Sequence, residues 1–557
     1  MNGFVIALTI MMSFGVSAQV PFGERQVLLD LYYATKGDSW FNRGGWLGSV
    51  GTECSWHGVI CFNNRVFSLQ LWSNNLDGSL PASLGQLGRL ESLLLWSNKL
   101  SGTIPPELAQ AGDLRAVILS HNQLQGQIPP QLVLKPNLQD LRVDDNNLTG
   151  TIPAPFSPTA SLRVLALDGN ALSGGIPASL GQLPSLTFLA LSRNQLSGSI
   201  PAELGQASDL SSLLLFDNQL SGSIPPEIGN LVALELLSLG FNQLDGPIPA
   251  SLGNLSALEF LSLAVNNLEG SIPPELGNLN ELRYLNIADN HFTATLSPWI
   301  SELGSLRELR ANGAGLTGPL PSDWSQAGPL ELMQLGDNCI TGPLPDELGQ
   351  LSNLRELNLA DNCIDGPIPA ALGQLHSLEQ LSLARNALLG PIPTSLMNLE
   401  NLQQFSVIDN RLYADDPDLR DWLNGFGNAW SISQTVPPAD VQVVQTDGNS
   451  AEIHWEPVPF YIPDAGRYRV VVAPVQAIFQ DRFSSSLHMP ADHQMVFETA
   501  SHGDGGIILT GVEPGTRYRF HVQMISDPRP PSPLPRPPQK NLLISTTTPV
   551  GEFLTPP

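Results

Sequence analysis

From Val66 onward one pattern, LxxLxLxxNxLxGxIPxxLGxL, returns every 24 residues with no insertion or deletion. Its index asparagine stands at Asn74, Asn98, Asn122, Asn146, Asn170, Asn194, Asn218, Asn242, Asn266 and Asn290, lapses at Ala314, and resumes at Asn338, Asn362, Asn386 and Asn410. A period this strict dictates a solenoid. One coil cannot bury its apolar stripe alone, so neighbours must stack to make a continuous core.

The coil from Leu90 to Asp113 shows the physics. Leu93 and Leu95 alternate as a short strand with both side chains inward, which leaves Ser92, Leu94 and Trp96 outward. Asn98 turns the chain, and its amide can donate to and accept from backbone groups of the turn, a ladder once coils stack. Gly102 supplies backbone freedom, Ile104 returns to the core, and Pro105 stands where no ladder donor is needed. About fifteen such coils over 66–411 predict an α/β solenoid, with a parallel β-sheet on the concave face and 3-10 or irregular segments on the convex side. Ala294, Ser297 and Ala314 replace three landmarks together. Because the spacing survives, a tolerated weak coil is favoured there over a kink or a site.

The repeat resembles the plant-type extracellular leucine-rich repeat proteins, as in receptor-like kinase ectodomains and polygalacturonase-inhibiting proteins. The preceding segment is similar to that family's N-terminal cap: Gln26 to Tyr32, then Trp40, Trp46 and Cys54-Ser55-Trp56-His57-Gly58-Val59-Ile60-Cys61. The resemblance implies a cap over 19–65 with a Cys54–Cys61 disulfide. No Gly-rich loop, HRD or DFG follows the repeats, so signalling through a kinase of its own is not expected.

Residues 1–18, an apolar run ending Val16-Ser17-Ala18, read as a secretory signal, although Met1-Asn2-Gly3 lacks a basic residue. No later stretch is long and apolar enough for a membrane span, which predicts a secreted or extracellular chain, periplasmic or on the cell surface if bacterial, with no membrane insertion. The four cysteines lack the CxxC spacing of zinc sites, and disulfides suit the compartment. Cys339 and Cys363 each follow an index Asn one period apart, so stacking should bring them close enough for a disulfide.

After the repeats, 412–436 reads as a C-terminal cap and linker, with Asp416-Pro417 opening a helix through Trp422 and Leu423. Residues 437–549 alternate as strands between Pro/Gly-rich turns and suggest an all-β sandwich, leaving 550–557 as a tail. Val512-Glu513-Pro514-Gly515-Thr516-Arg517-Tyr518 resembles the fibronectin type III signature, which implies a tyrosine-corner role for Tyr518 and a core role for Trp455. The Pro-rich segment from Asp527 to Pro538 reads as a stiff excursion between the last strands.

With 26 Lys+Arg against 52 Asp+Glu the net charge is −26, which argues against a nucleic-acid partner. The nine His form no HExxH, and neither GxSxG nor GxxxxGK[ST] occurs, so no catalytic site, metal or cofactor is expected. The outward columns of the concave strands carry the candidate ligand-binding residues: Trp72, Leu94, Trp96, Ile118, Phe216 and Phe241, with Arg142, Asp144, Asp145 and Asp168 as a polar set beside the tryptophans. Trp72 and Trp96 share a column one coil apart and should stack. Exposed aromatic columns on an acidic scaffold point to a non-enzymatic recognition protein for a protein or peptide, or alternatively to an envelope or adhesion protein that binds glycan on the Trp platform. Oligomeric state leaves no trace in the sequence.

Overall fold

The computed structural model describes residues 19–156, 160–296, 298–324, 327–427, 430 and 434, and the backbone of seven strands between 439 and 554. The signal segment 1–18, Ser297, residues 512–516, the Pro-rich stretch 527–538 and the strand expected near 542–544 lie outside the described residues, as do the side chains of Trp455 and Tyr518. Two compact units divide at Glu269 and Gly270.

The first unit opens with the helix Phe22–Ala34, whose inner face (Val27, Leu28, Leu31, Tyr32) is buried beside Trp40, Trp46 and Trp56. Glu24 and Glu53 are buried carboxylates, and each is neutralised by one arginine. Arg65 pairs with Glu24, which also accepts from the Val66 N–H at 2.8 Å, and Arg25 pairs with Glu53. Paired burial of this kind avoids the cost of an isolated buried charge. Cys54 and Cys61 form the disulfide that the cap resemblance implied.

Three-residue strands then stack in parallel: Ser92–Leu94, Ala116–Ile118, Asp140–Arg142, Val164–Ala166, Phe188–Ala190, Ser212–Leu214, Leu236–Ser238 and Phe260–Ser262. Each residue faces its equivalent 24 positions on, for instance Leu93 opposite Val117 and Val117 opposite Leu141. The inward Leu93, Leu95, Leu100, Ile104 and Leu108 are almost wholly buried. At about 1.5–3 kcal/mol per buried aliphatic side chain, this stripe is the main stabilising term of each coil. Five-residue 3-10 helices such as Ala82–Gln86 and Ala202–Gln206 close the coils, and Pro130–Val133 is a turn of α-helix instead.

The far side is more regular than the sequence suggested. Each NxLxG segment is itself a strand, from Asp77–Ser79 through Lys99–Gly102 to Gln243–Gly246, and these pair as a second parallel ladder. Extended backbone around the buried Leu leaves N–H and C=O groups free on both sides, and the adjacent coil satisfies them.

The index asparagines bind coil to coil. Asn98 Nδ2 donates to the carbonyls of Leu95 and Leu71, both at 2.9 Å, and its Oδ1 accepts from the N–H groups of Leu76 and Asn74 at 3.0 Å. The same offsets recur through Asn218 and Asn266. One further rung was hidden by its residue type. Gln434, 24 residues past Asn410, accepts from Leu412 N at 2.9 Å and donates to Val407 O at 2.8 Å, so the segment read as cap and linker holds another index position.

The second unit continues the pattern with strands Tyr284–Asn286, Glu308–Arg310, Leu332–Gln334, Glu356–Asn358, Gln380–Ser382 and Gln404–Ser406. At the lapsed coil the register holds on both sides, and Phe292 N donates to the Ala314 carbonyl at 3.0 Å. The helix Pro417–Asn424 begins at the Asp416 cap, whose Oδ1 accepts from Asp418 N and Leu419 N. Beyond it lie a three-stranded sheet, Ala439–Asp447, Ser450–Glu456 and Gly506–Thr510, and a four-stranded one, Met495–Glu498, Arg467–Pro474, Arg517–Ile525 and Gly551–Leu554. The last corrects the assignment of 550–557 as tail: Gly551–Leu554 pairs antiparallel with residues 517–520, which satisfy its backbone groups.

Cys339 and Cys363 also require correction. The stacking brings them together as expected, yet both are free thiols, with Sγ atoms 3.4 Å apart rather than bonded. In-register coils hold the two sulfurs at contact distance, well beyond the roughly 2.05 Å of a disulfide.

Candidate functional site

All ten candidate residues fall on the outward face of the first unit's strand ladder: eight are even-numbered and alternate with the inward odd-numbered residues, while Asp145 and Phe241 are turned outward at the left-handed position before the index Asn. Trp72 and Trp96 stack as predicted, with ring centroids 6.0 Å apart and planes 2° from parallel, and they remain 42% and 36% exposed. Leu94 and Ile118 lie half-buried on the same face. Farther along, Phe216 and Phe241 meet at 5.0 Å with Phe241 49% exposed.

Between the aromatics sits a hydrogen-bonded polar cluster that the sequence showed only in part. Ser120 donates to Asp144 at 2.6 Å, and His121 Nδ1 lies 3.1 Å from Asp145. Arg193 Nη2 joins Asp145 Oδ1 at 3.0 Å to Asp168 Oδ2 at 3.1 Å. Arg142, the fourth member of the polar set, pairs with Asp140 at 2.9 Å, its neighbour on the same strand. Ser120, His121 and Arg193 were missed, although the repeat gives the signal: His121, Asp145, Gly169 and Arg193 occupy one column at 24-residue steps.

Backbone geometry explains how Arg193 reaches Asp145 two coils away. Every residue of that column has left-handed φ, 54° at His121, 48° at Asp145, 63° at Gly169 and 54° at Arg193. The intervening Gly169 has no side chain, and a Cβ there would stand 2.2 Å from Asp145 Oδ1. The Asp145 carboxylate lies in the space that the glycine leaves, and Arg193 meets it there.

Burial raises the Asp168 carboxyl above its ordinary pKa, the Asp144 charge adds to this, and Arg193 opposes it. Burial raises Asp140 in the same way against Arg142. Arg193 is held more firmly protonated, chiefly by its hydrogen bond to Asp168. Ligand atoms of His121, Asp144 and Asp145 lie within 4.8 Å of one another, close enough to share a cation. The Arg193 charge already sits against Asp145 and Asp168 and offsets part of the acidic charge, so the group can orient a polar or basic partner.

The second unit's strand face differs in character. There Arg310, Gln334 and Glu356 form a polar chain, with Gln334 donating to Glu356 at 2.6 Å, and Arg385 pairs with Asp361. The aromatic patch belongs to the first unit.

Comparison with known proteins agrees with this architecture. The leucine-rich repeat region profile matches residues 146–342, and the leucine-rich repeat profile matches 89–111, 353–375 and 377–399. No curated protein matches the sequence. Among solved structures, the chain is similar to a plant peptide hormone receptor, RGFR1, in complex with RGF2, at 33% identity over 63% of this chain and 64% of that one, with a TM-score of 0.57. It is similar also to a TDR receptor, at 29% identity over 62% and 64%, with a TM-score of 0.54. The chain thus spans under two thirds of these relatives. The residues that these profiles match are leucine-rich repeats, and among the described residues no helix is long and apolar enough to cross a membrane.

Proposed function

We propose that this chain is an extracellular, non-enzymatic recognition protein whose first-unit strand face binds an extended protein or peptide segment. One observation carries the proposal: the stacked, exposed Trp72–Trp96 pair, the polar cluster and the Phe216–Phe241 pair follow one another on a single face. Exposed aromatics arranged as anchors around an orienting polar group have the composition of a binding surface. From Trp72 to Phe241 is seven coils, about 34 Å at strand spacing, which an extended peptide of roughly ten residues covers. The likeness to a peptide hormone receptor solved with its ligand supports this reading. Residues 1–18 as a secretion signal and 437–549 as a fibronectin type III-like spacer belong to the same proposal. The three- and four-stranded antiparallel sheets support the spacer.

A second reading has its own observation. The two parallel, stacked indoles keep apolar ring surface exposed on which a sugar ring can pack, so glycan is the alternative ligand. A pull-down from extracellular medium run beside a glycan array separates the two. Peptide binding predicts a captured partner whose affinity falls at least tenfold in Trp96→Ala and again in Phe241→Ala. Glycan binding predicts an array hit that Trp96→Ala abolishes and Phe241→Ala leaves intact. Capture that neither substitution weakens would remove this face from consideration.

A further inference from the structure

A second chemical feature lies in the other unit and stands apart from the strand-face reading. Cys339 opens the strand Cys339–Pro343 and Cys363 opens Cys363–Gly366, parallel neighbours in a six-stranded sheet of the second unit. The following residues, Ile340 and Ile364, are buried, so the alternation that sends them into the core sends both thiols to the surface. The sulfurs are 3.4 Å apart in S–H···S contact. In the flanking coils the equivalent places hold Gly315 and Ala387, which put little bulk around the pair.

We infer that Cys339 and Cys363 form a modification site for thiol–disulfide exchange, taking small-molecule disulfides as co-reactant and converting to a disulfide that ties two adjacent coils. Formation of that bond requires the sulfurs to close from 3.4 Å to about 2.05 Å, a movement that rotation about the two Cα–Cβ bonds supplies. The order of events follows from the surroundings. Burial, then the hydrogen bond to Cys339 and its charge, push the Cys363 thiol up to about 11 while Cys339 stands beside it, which favours Cys339 as the first attacking sulfur. Cys339 thiolate attacks one sulfur of RSSR, forms a mixed disulfide and releases RS⁻. Cys363 then gives up its proton, attacks Cys339 Sγ and expels the second RS⁻. The sum is two protein thiols plus RSSR giving one protein disulfide plus two RSH, the protein oxidised and the small disulfide reduced.

The test equilibrates the full chain with mixtures of reduced and oxidised glutathione, quenches by alkylation, and counts modified 339 and 363 by peptide mass spectrometry. The wild type should lose both alkylation sites together, with the two peptides cross-linked and no retained glutathione. Cys363→Ser should retain one glutathione on Cys339, and Cys339→Ser should retain one on Cys363. A parallel measurement needs no variant: one phenylarsine oxide per chain should protect both cysteines from alkylation, since a trivalent arsenical bridges two thiols only at such spacing. Independent alkylation of the two sites, or two glutathiones accumulating on one wild-type chain, would overturn the assignment.

Discussion

Replacing Gly169 by alanine joins the backbone of the repeat to the geometry of the polar cluster. The column position before each index Asn has left-handed φ in coil after coil, and non-glycine residues such as Ser97, Arg193 and Asp217 occupy it. At Gly169 the change adds two penalties. Placing a Cβ in the left-handed region costs about 1–2 kcal/mol, and restricting the unfolded chain returns about 0.4–1, a net backbone loss of roughly 1 kcal/mol. The new Cβ would also lie 2.2 Å from Asp145 Oδ1, so the carboxylate must swing away and Arg193 loses one of its two partners. Arg193 is half exposed, which limits that ion pair to about 0.2–1 kcal/mol. The expected total is about 1.5–2 kcal/mol by urea unfolding monitored by circular dichroism. A double-mutant cycle with Asp145→Ala isolates the second penalty. Once Asp145 has no carboxylate, Gly169→Ala should cost only the backbone loss, leaving a coupling of about 0.5–1 kcal/mol. A cycle that closes with no coupling would refute the claim that the missing side chain at Gly169 makes room for the Asp145 carboxylate.

Two further outcomes follow from the same coordinates. Asn218→Ala removes the acceptor of the Leu196 N–H and the donor to Leu191 O and Leu215 O, so it should destabilise by about 2–4 kcal/mol, and a loss below about 1 kcal/mol in urea unfolding would show that the ladder is ornamental. Asp168 has a raised folded-state pKa, so the folded chain holds that proton more tightly than the unfolded chain. Ionised Asp168 therefore opposes folding, by an amount that grows as pH rises from the ordinary carboxylate value through the raised one. Asp168→Asn should raise Tm at pH 7 relative to the wild type, with the gain fading toward pH 4, and a gain that grows on acidification would reverse the sign assigned to its burial.

How far the sequence could be read turns on what repeats and what does not. The inward Leu columns, the Asn rungs and the Trp72–Trp96 stack all follow from a strict 24-residue step, because equivalent residues of stacked coils must be neighbours. Gln434 escaped although it obeys the step, because the rule was read as an asparagine rule when the physics asks only for a side-chain amide able to donate and accept. The second ladder escaped because NxLxG segments carry turn residues, and their extended form is imposed by neighbours rather than by propensity. The partner of Arg142 was not legible for a related reason: same-face residues two apart on one strand compete with partners on other coils, and nothing in a period of 24 says which carboxylate wins.

The polar cluster therefore marks where period-based reasoning stops and side-chain reach begins. Asp145 and Arg193 are 48 residues apart, and their contact depends on the one coil between them having lost its side chain at that place. An interaction that skips a coil is specified by an absence, which a pattern search scores as a neutral position. The same logic applies to a bound partner. Leu94, Ile118 and the exposed indoles differ from coil to coil on a face whose scaffold does not change, so whatever distinguishes this solenoid from another with the same core must be written in those outward positions. Exchanging the outward residues of the Trp72 and Trp96 coils for serine should then leave the unfolding midpoint nearly unchanged while abolishing capture of the partner. A midpoint that fell as far as it does in Asn218→Ala would mean that the aromatics serve packing instead.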